Sequence, residues 1–199
     1  MRLRAENLAC ERGGREVFAG LNFSLQSGEA LLVTGRNGAG KSSLLRLIAG
    51  LVRISGGSLV LDGSASELSI PEQSHYLGHQ DALKGSLSVA ENLQFWANYL
   101  GGGKGQAALK RVGLASLSDL PAAYLSAGQK RRLSIARLAA VKRPLWLLDE
   151  PTSALDAAAQ LELGKLMRAH LKGGGMIVVA SHGPVGLPNA RTLRLGPMR

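Results

Sequence analysis

The stretch that most restricts what this chain can become is "ALLVTGRNGAGKSSLLRLIAG", residues 30–50. An apolar run of strand length ends at Gly35, and a glycine-rich loop follows as far as Gly40. A helix is predicted next, with Leu44, Leu45, Leu47 and Ile48 on its apolar face and Gly50 suited to its C-terminal cap. Gly35, Gly40, Lys41 and Ser42 satisfy G-x-x-x-x-G-K-[ST] in the strand–loop–helix setting the pattern requires. Glycines let backbone N–H groups converge on phosphates, and the helix N-terminus adds positive potential. Lys41 would reach the β- and γ-phosphates, and the Ser42 hydroxyl would ligate Mg²⁺. The bland alternative, a glycine-rich turn with no ligand, leaves the Lys-Ser ending unexplained.

Elsewhere the chain reads as strands, then helices, then strands. "RLRAENLAC" alternates loosely and "LNFSLQSGE" alternates before a turn at Ser27-Gly28. "GSLVLDG" and "HYLGHQ" read as two more strands. From about Gln80 to Arg143 the pattern becomes helical, with capping-box spacing at Ser88/Glu91 and again at Ser126/Gln129. "GGGKG" at 101–105 is a break within this region. Strand-like runs return at "LWLL" and "MIVVAS", with a helix from Ala157 to Lys172 between them. The expected fold class is α/β, a parallel-sheet core with an antiparallel β part and an inserted helical lobe. All 199 residues would form one domain, roughly 1–80 and 144–199 as the core lobe and 81–143 as the helical lobe.

Triphosphate hydrolysis needs acids as well as a phosphate loop. "LWLLDEP" places Asp149 and Glu150 at the end of an apolar strand. There an Asp can hold Mg²⁺ through water, and the adjacent Glu can polarise an attacking water. Gln80, His182 and the "LSAGQ" stretch at 125–129 are each unremarkable alone: a solvated loop residue, a structural histidine, a helix N-cap. Their occurrence in this order around one core favours a functional reading.

Composition closes some routes. The single cysteine, Cys10, excludes a disulfide within the chain and fits a reducing compartment. No apolar run approaches the roughly 20 residues that span a bilayer, and the N-terminus lacks the apolar core of a signal peptide. Any membrane part would belong to other subunits. The formal charge of +10 invites nucleic acid or an anionic membrane surface as partner, against a simply solvated surface. The unevenness lies in "KRRLSIARLAAVKR", Lys130 to Arg143, with six basic residues and no acid.

Together these residues resemble the ATP-binding cassette superfamily over nearly the whole chain. They match its Walker A loop ("GRNGAGKSS": Gly35, Arg36, Asn37, Gly38, Ala39, Gly40, Lys41, Ser42, Ser43), Q-loop Gln80, and "LSAGQ" signature (Ser126, Ala127, Gly128, Gln129). They also match its Walker B strand, its D-loop "SALD" with Asp156, and its switch His182. The resemblance implies that ATP and Mg²⁺ lie between one chain's Walker A and the signature of a second copy packed head to tail. It also implies Glu150 as general base, with His182 positioning water and γ-phosphate. Ser42, Gln80 and Asp149 would surround the metal, with Gln80 reporting its state to the helical lobe. Asp156 would couple the two sites. Two departures stand out: Arg12 replaces the usual adenine-stacking aromatic, and Ala127 replaces a signature glycine. A guanidinium can stack on a base, so binding should survive with weaker adenine preference.

Several stretches resemble, more narrowly, the haem-exporter ATP-binding subunits of bacterial cytochrome c maturation. They are "LACERGGREVFAGLNFSL", "GHQDALKGSLSVAENLQFWA", "LSAGQKRRLSIARL" and "LWLLDEPTSALD". That resemblance implies a peripheral ATPase on the cytoplasmic face of the inner membrane. Its partners would be a polytopic membrane subunit and other cytochrome c maturation proteins. Hydrolysis would drive haem export or release of a haem-loaded chaperone. No direct haem ligation and no nucleic acid is expected. The alternatives are a small transporter cassette for another cargo and a soluble nucleic-acid-associated cassette. Part of the basic stretch would lie near the second copy, and the rest would face anionic lipid.

Overall fold

The structure is a computed structural model that describes residues 1–63, 67–103, 105–183 and 185–196. Strands β1 (Arg2–Arg12), β2 (Arg15–Gln26) and β4 (Gly56–Asp62) form an antiparallel sheet in the order β2-β1-β4. The loose alternation of the opening residues has a local cause. Leu3 and Ala5 point into the core, the register then shifts, and Leu8 and Cys10 take over the inward side. Asn7, with φ 48°, sits in this bulge. Gly57 lies against it, where a Cβ would stand 2.2 Å from the Asn7 carbonyl oxygen. Only glycine fits there.

The second sheet is parallel throughout, in the order β5 (Ser74–Leu77), β6 (Leu145–Asp149), β7 (Met176–Ala180), β3 (Ala30–Thr34), β8 (Arg191–Arg194). Every residue of β6 and β7 is buried, because helices or the other sheet cover both faces. That is why both read as unbroken apolar runs. Strand β8, "RTLR", was not expected. It pairs with β3 at the sheet edge and is largely exposed, so it carries charge where an inner strand carries Val or Leu.

Helix α1 (Lys41–Ile48) fills the space between the two sheets. Leu44, Leu45 and Ile48 pack there with Leu3, Leu25, Val33 and Val178. Gly50, at φ 72°, follows directly on the helix's C-cap, Ala49. The opposite face of the parallel sheet carries α5 (Ala157–Lys172), whose Leu163, Leu166 and Met167 share a core with Trp146, Ile177 and Val179. Between β5 and β6 come α2 (Val89–Tyr99), α3 (Gly105–Arg111) and α4 (Ala127–Ala140). They enclose a core of their own, including Val89, Leu93, Leu109, Leu114 and Leu133. Lys104, within the expected break at 101–105, lies outside the described residues. The α/β class stands, with its parallel core, antiparallel sheet and inserted helices.

Parallel strands deliver their C-terminal ends to one edge. Gly35 follows β3, Gly78 follows β5, Glu150 follows β6 and Ser181 follows β7. In open α/β sheets this carboxyl edge is where ligands bind.

Candidate active site

The loop after β3 is held by its own lysine. Lys41 is buried, and its Nζ donates to the carbonyl oxygens of Gly35 (2.9 Å) and Arg36 (3.2 Å). The same ammonium lies 3.2 Å from His182 Nε2. Lysine has only donors, so in this contact Nε2 is the acceptor. Gly40 caps α1 at φ 98°, where a Cβ would come within 2.6 Å of Val17 Cγ1 and 3.1 Å of Phe18 Cδ1. The glycine therefore serves two needs, a left-handed backbone and close passage of β2.

One residue on, the Ser42 hydroxyl donates to Asp149 Oδ1 at 3.0 Å. Asp149 ends β6 and is buried, and its Oδ2 has no hydrogen-bond partner. A buried carboxylate oxygen left unpaired is costly unless a cation meets it. Arg46 is one positive neighbour. The Tyr76 hydroxyl, accepting from its Nε, holds the guanidinium proton more tightly than usual, and Asp149 adds a smaller pull. No group of three or more His, Cys, Asp or Glu converges among the described residues. A Mg²⁺ here would draw on the Ser42 hydroxyl, Asp149 and nucleotide phosphates, which suits an ion that keeps water and substrate oxygens in its shell. The unpaired Oδ2 beside the serine hydroxyl fits that ion.

Glu150 adopts φ 46°, unusual for a residue with a side chain. Its N–H donates to the Ala180 carbonyl at 2.9 Å, and its Oε2 accepts from Ser181 Oγ at 3.3 Å. Ser181 Oγ in turn accepts from the Gly183 N–H at 3.2 Å. Glu150 Oε1 has no hydrogen-bond partner and lies 3.8 Å from His182 Nε2. The His182 side chain is 55% exposed. Lys41, Ser42, Asp149, Glu150 and His182 therefore meet within one cluster at the carboxyl edge, with one carboxylate oxygen of each acid left free.

Other expected site residues lie apart from it. Gln80 is exposed in the loop after β5 and makes no hydrogen bond among the described residues. Arg12 ends β1 in the open, paired in register with Arg15. Arg36, Asn37 and Gly38 are exposed along the loop, whereas Ala39 and Ser43 are half-buried. Ser126 caps α4, accepting from the Gln129 N–H at 3.2 Å while Gln129 Oε1 accepts from the Ser126 N–H at 2.8 Å. A Cβ on Gly128 would stand 3.0 Å from the Ala154 carbonyl oxygen, so the start of α4 lies against the loop before α5. Asp156 caps α5 through the Ala159 N–H at 2.7 Å.

The basic stretch from Lys130 to Arg143 needs correction as a solvent- or lipid-facing run. Arg131 and Arg137 are buried. Arg137 stacks 4.4 Å from the Trp96 ring centroid, and burial pushes its pKa down to about 10. Arg131 was not expected at the site at all, yet it reaches Gly78, Asp149 and Glu150. A signal was present: Arg131, Ile135 and Leu138 share helical spacing, so the arginine lies on the buried face.

The family description "ABC transporter" matches residues 18–153. The chain belongs to the ABC transporter family. Within it, this cassette is 61% identical over 198 residues to the cytochrome c biogenesis ATP-binding export protein CcmA of Nitrobacter winogradskyi, with 98% of each chain covered. It is 62% identical to the protein of that name from Rhodopseudomonas palustris strain BisB18, again over 98% of each. The fold of the cassette matches the ATP-binding subunit of an ABC transporter with TM-score 0.87 at 23% identity, covering 98% of this chain and 86% of that one. It also matches an ATP-binding cassette solved as a post-hydrolysis dimer with ADP and Pi, at TM-score 0.84 and 23% identity, covering 97% and 94%.

Proposed function

We propose that this chain is the ATP-hydrolysing, energy-coupling subunit of a membrane complex for c-type cytochrome biogenesis. The observation that carries the reading is the meeting of Lys41, Ser42, Asp149, Glu150 and His182 in a chain 61% identical, end to end, to a cytochrome c biogenesis ATP-binding export protein.

The chemistry follows from the cluster. Phosphates of ATP enter the Gly35–Gly40 loop, where the N-terminus of α1 favours negative charge. The Lys41 ammonium, now on two loop carbonyls, turns to the incoming phosphates as a stronger acceptor. Ser42 and Asp149 would hold Mg²⁺, which would neutralise charge building on the phosphates. Glu150 orients a water through Oε1 and draws its proton as the oxygen attacks the γ-phosphorus; the bond from that phosphorus to the β–γ bridging oxygen breaks, and ADP and phosphate leave. Its Oε2 stays on Ser181 Oγ. His182, next to both Lys41 and Glu150, holds the γ-phosphate side of that line.

The remaining residues act across a pair of chains. Ser126, Ala127, Gly128 and Gln129 present the start of α4 to the nucleotide of a second copy, and Asp156 links the two sites. Gln80, exposed in its loop, would contact the metal and γ-phosphate of a bound nucleotide. Arg12, exposed at the end of β1, would be the group that stacks on adenine. We take 1–80 with 144–199 as the core lobe and 81–143 as the lobe that moves. None of the described helices is long and apolar enough to cross a membrane; this chain sits peripherally on the cytoplasmic face of the inner membrane, and a polytopic subunit supplies the spanning part. Its contact is the groove of about 540 Å³ between α2 and β5, where Phe95 and Tyr99 stand exposed and β5 leads directly to Gln80.

The experiment is covalent haem on c-type cytochromes in cells that carry this chain or its Glu150→Gln form. Loss of haem attachment, with the variant still at the membrane, supports the reading. Normal attachment leaves the ATPase chemistry in place and assigns it to another cargo.

A further inference from the structure

Arg131 is 2% exposed, and its guanidinium is spent entirely on five acceptors. Nε donates to the Pro151 carbonyl at 3.3 Å. Nη1 donates to the Gly78 carbonyl at 2.8 Å and to Asp81 Oδ1 at 3.3 Å. Nη2 donates to the carbonyls of Asp149 at 3.0 Å and Glu150 at 2.7 Å. These acceptors come from two separate strand ends, one just beyond β5 and one at and just beyond the end of β6. One turn along α4, the Ser134 hydroxyl takes the Asp81 carbonyl as well. A rigid fork of donors can serve such a set, and a lysine's point charge cannot.

The arginine satisfies carbonyls at both strand ends that an apolar side chain would leave without a donor. What distinguishes the position is the residue it grips. Glu150 has a left-handed backbone that persists only where its surroundings hold it. Its N–H is held by the Ala180 carbonyl, and its carbonyl is held by Arg131. The direction in which the Glu150 carboxylate leaves the backbone follows from those two bonds. The same fork grips residues on both sides of Gln80, namely Gly78 and Asp81.

We propose that Arg131 is a positioning residue that sets the Glu150 carboxylate for hydrolysis and ties its alignment to helix α4. The inference rests on the reading of Glu150 as general base. A movement of α4 relative to the sheet then alters Glu150 before it alters nucleotide binding, which depends on Lys41 and the loop.

The test uses the full chain, with ATPase kinetics for Arg131→Lys, Glu150→Gln and the double variant, and single turnovers where rates are low. Arg131→Lys should lower kcat about 10- to 100-fold with KM for ATP nearly unchanged, the signature of lost alignment. In the Glu150→Gln background the same substitution should add little, because the group it aligns is already gone. An equal fold-loss in both backgrounds, or a loss confined to KM, overturns the proposal. Wild-type turnover by Glu150→Gln alone removes the reading of the base, and with it this inference. If Arg131→Lys does not fold, Asp81→Asn loosens the fork at its half-exposed end. It should lower kcat several-fold in the wild-type background only. Unchanged kcat in that variant also overturns the proposal.

Discussion

Ser42 and Asp149, 107 residues apart in sequence, are joined by a 3.0 Å hydrogen bond from the serine hydroxyl to Oδ1 of the aspartate. The bond pre-aligns two oxygen donors while leaving Asp149 Oδ2 unpaired. It also makes the two residues one unit. Ser42→Ala and Asp149→Asn should each raise the Mg²⁺ concentration needed for half-maximal ATPase, and the double variant should fall well short of the product of the two effects. A Mg²⁺ titration of the three variants measures this; independent, multiplying effects would contradict a shared site.

Glu150→Gln keeps the shape of the side chain and removes its basicity. Turnover should fall by about 10²–10⁴-fold while ATP binding persists. Lys41→Ala removes the phosphate-facing ammonium and should instead lose nucleotide affinity. Equilibrium binding alongside kcat separates the two, and wild-type turnover in Glu150→Gln would show that the base lies elsewhere.

The two capping boxes offer a matched pair. Ser88 and Ser126 each accept from the backbone N–H three residues on, and each donates its own backbone N–H to that residue's side-chain oxygen. Ser88→Ala and Ser126→Ala should each cost about 1 kcal/mol of stability. Only Ser126→Ala should also reduce ATPase under the proposed role of the start of α4 at a second copy's nucleotide. Denaturant midpoints and turnover, taken together, test this; equal loss of activity in both would make the role of Ser126 purely structural.

His75 should make the fold acid-sensitive. It is buried, its Nε2–H donates to the Val141 carbonyl at 2.8 Å, and burial pushes its pKa down from 6.5 to about 4. Above pH 6.5 the ring is neutral in folded and unfolded chains alike, and it leaves stability unchanged. Below that, the unfolded chain takes a proton that the folded chain refuses, so stability is lost as pH falls from 6.5 towards 4. From this residue the loss between pH 7 and pH 5 should be about 2 kcal/mol. His170, also lowered by burial, acts in the same direction. Urea midpoints across this range should slope less steeply for His75→Gln; an unchanged slope would assign the acid sensitivity to other groups.

Legibility in the sequence followed the range of the interaction. The phosphate loop, the capping boxes at Ser88 and Ser126 and helix α5 rest on neighbours within a few residues, so short patterns reveal them. Strand β8 escaped notice because its charged residues are those of a solvent-facing edge, and its pairing with β3 spans most of the chain. Arg131 was hidden for a different reason. It sat in a run of basic residues that reads as surface, whereas its helical spacing with Ile135 and Leu138 turns it inward.

By itself the sequence determined which residues suited to phosphate and acid–base chemistry the chain carries, and the strand or helix end on which each stands. Local spacing and capping are enough for that. Only the tertiary structure decided that Ser42 meets Asp149, that His182 stands between Lys41 and Glu150, and that Arg131 grips two strand ends at once. Those meetings come from packing parallel strands with their carboxyl ends together and burying α4 against them. Such packing joins residues that no local pattern connects.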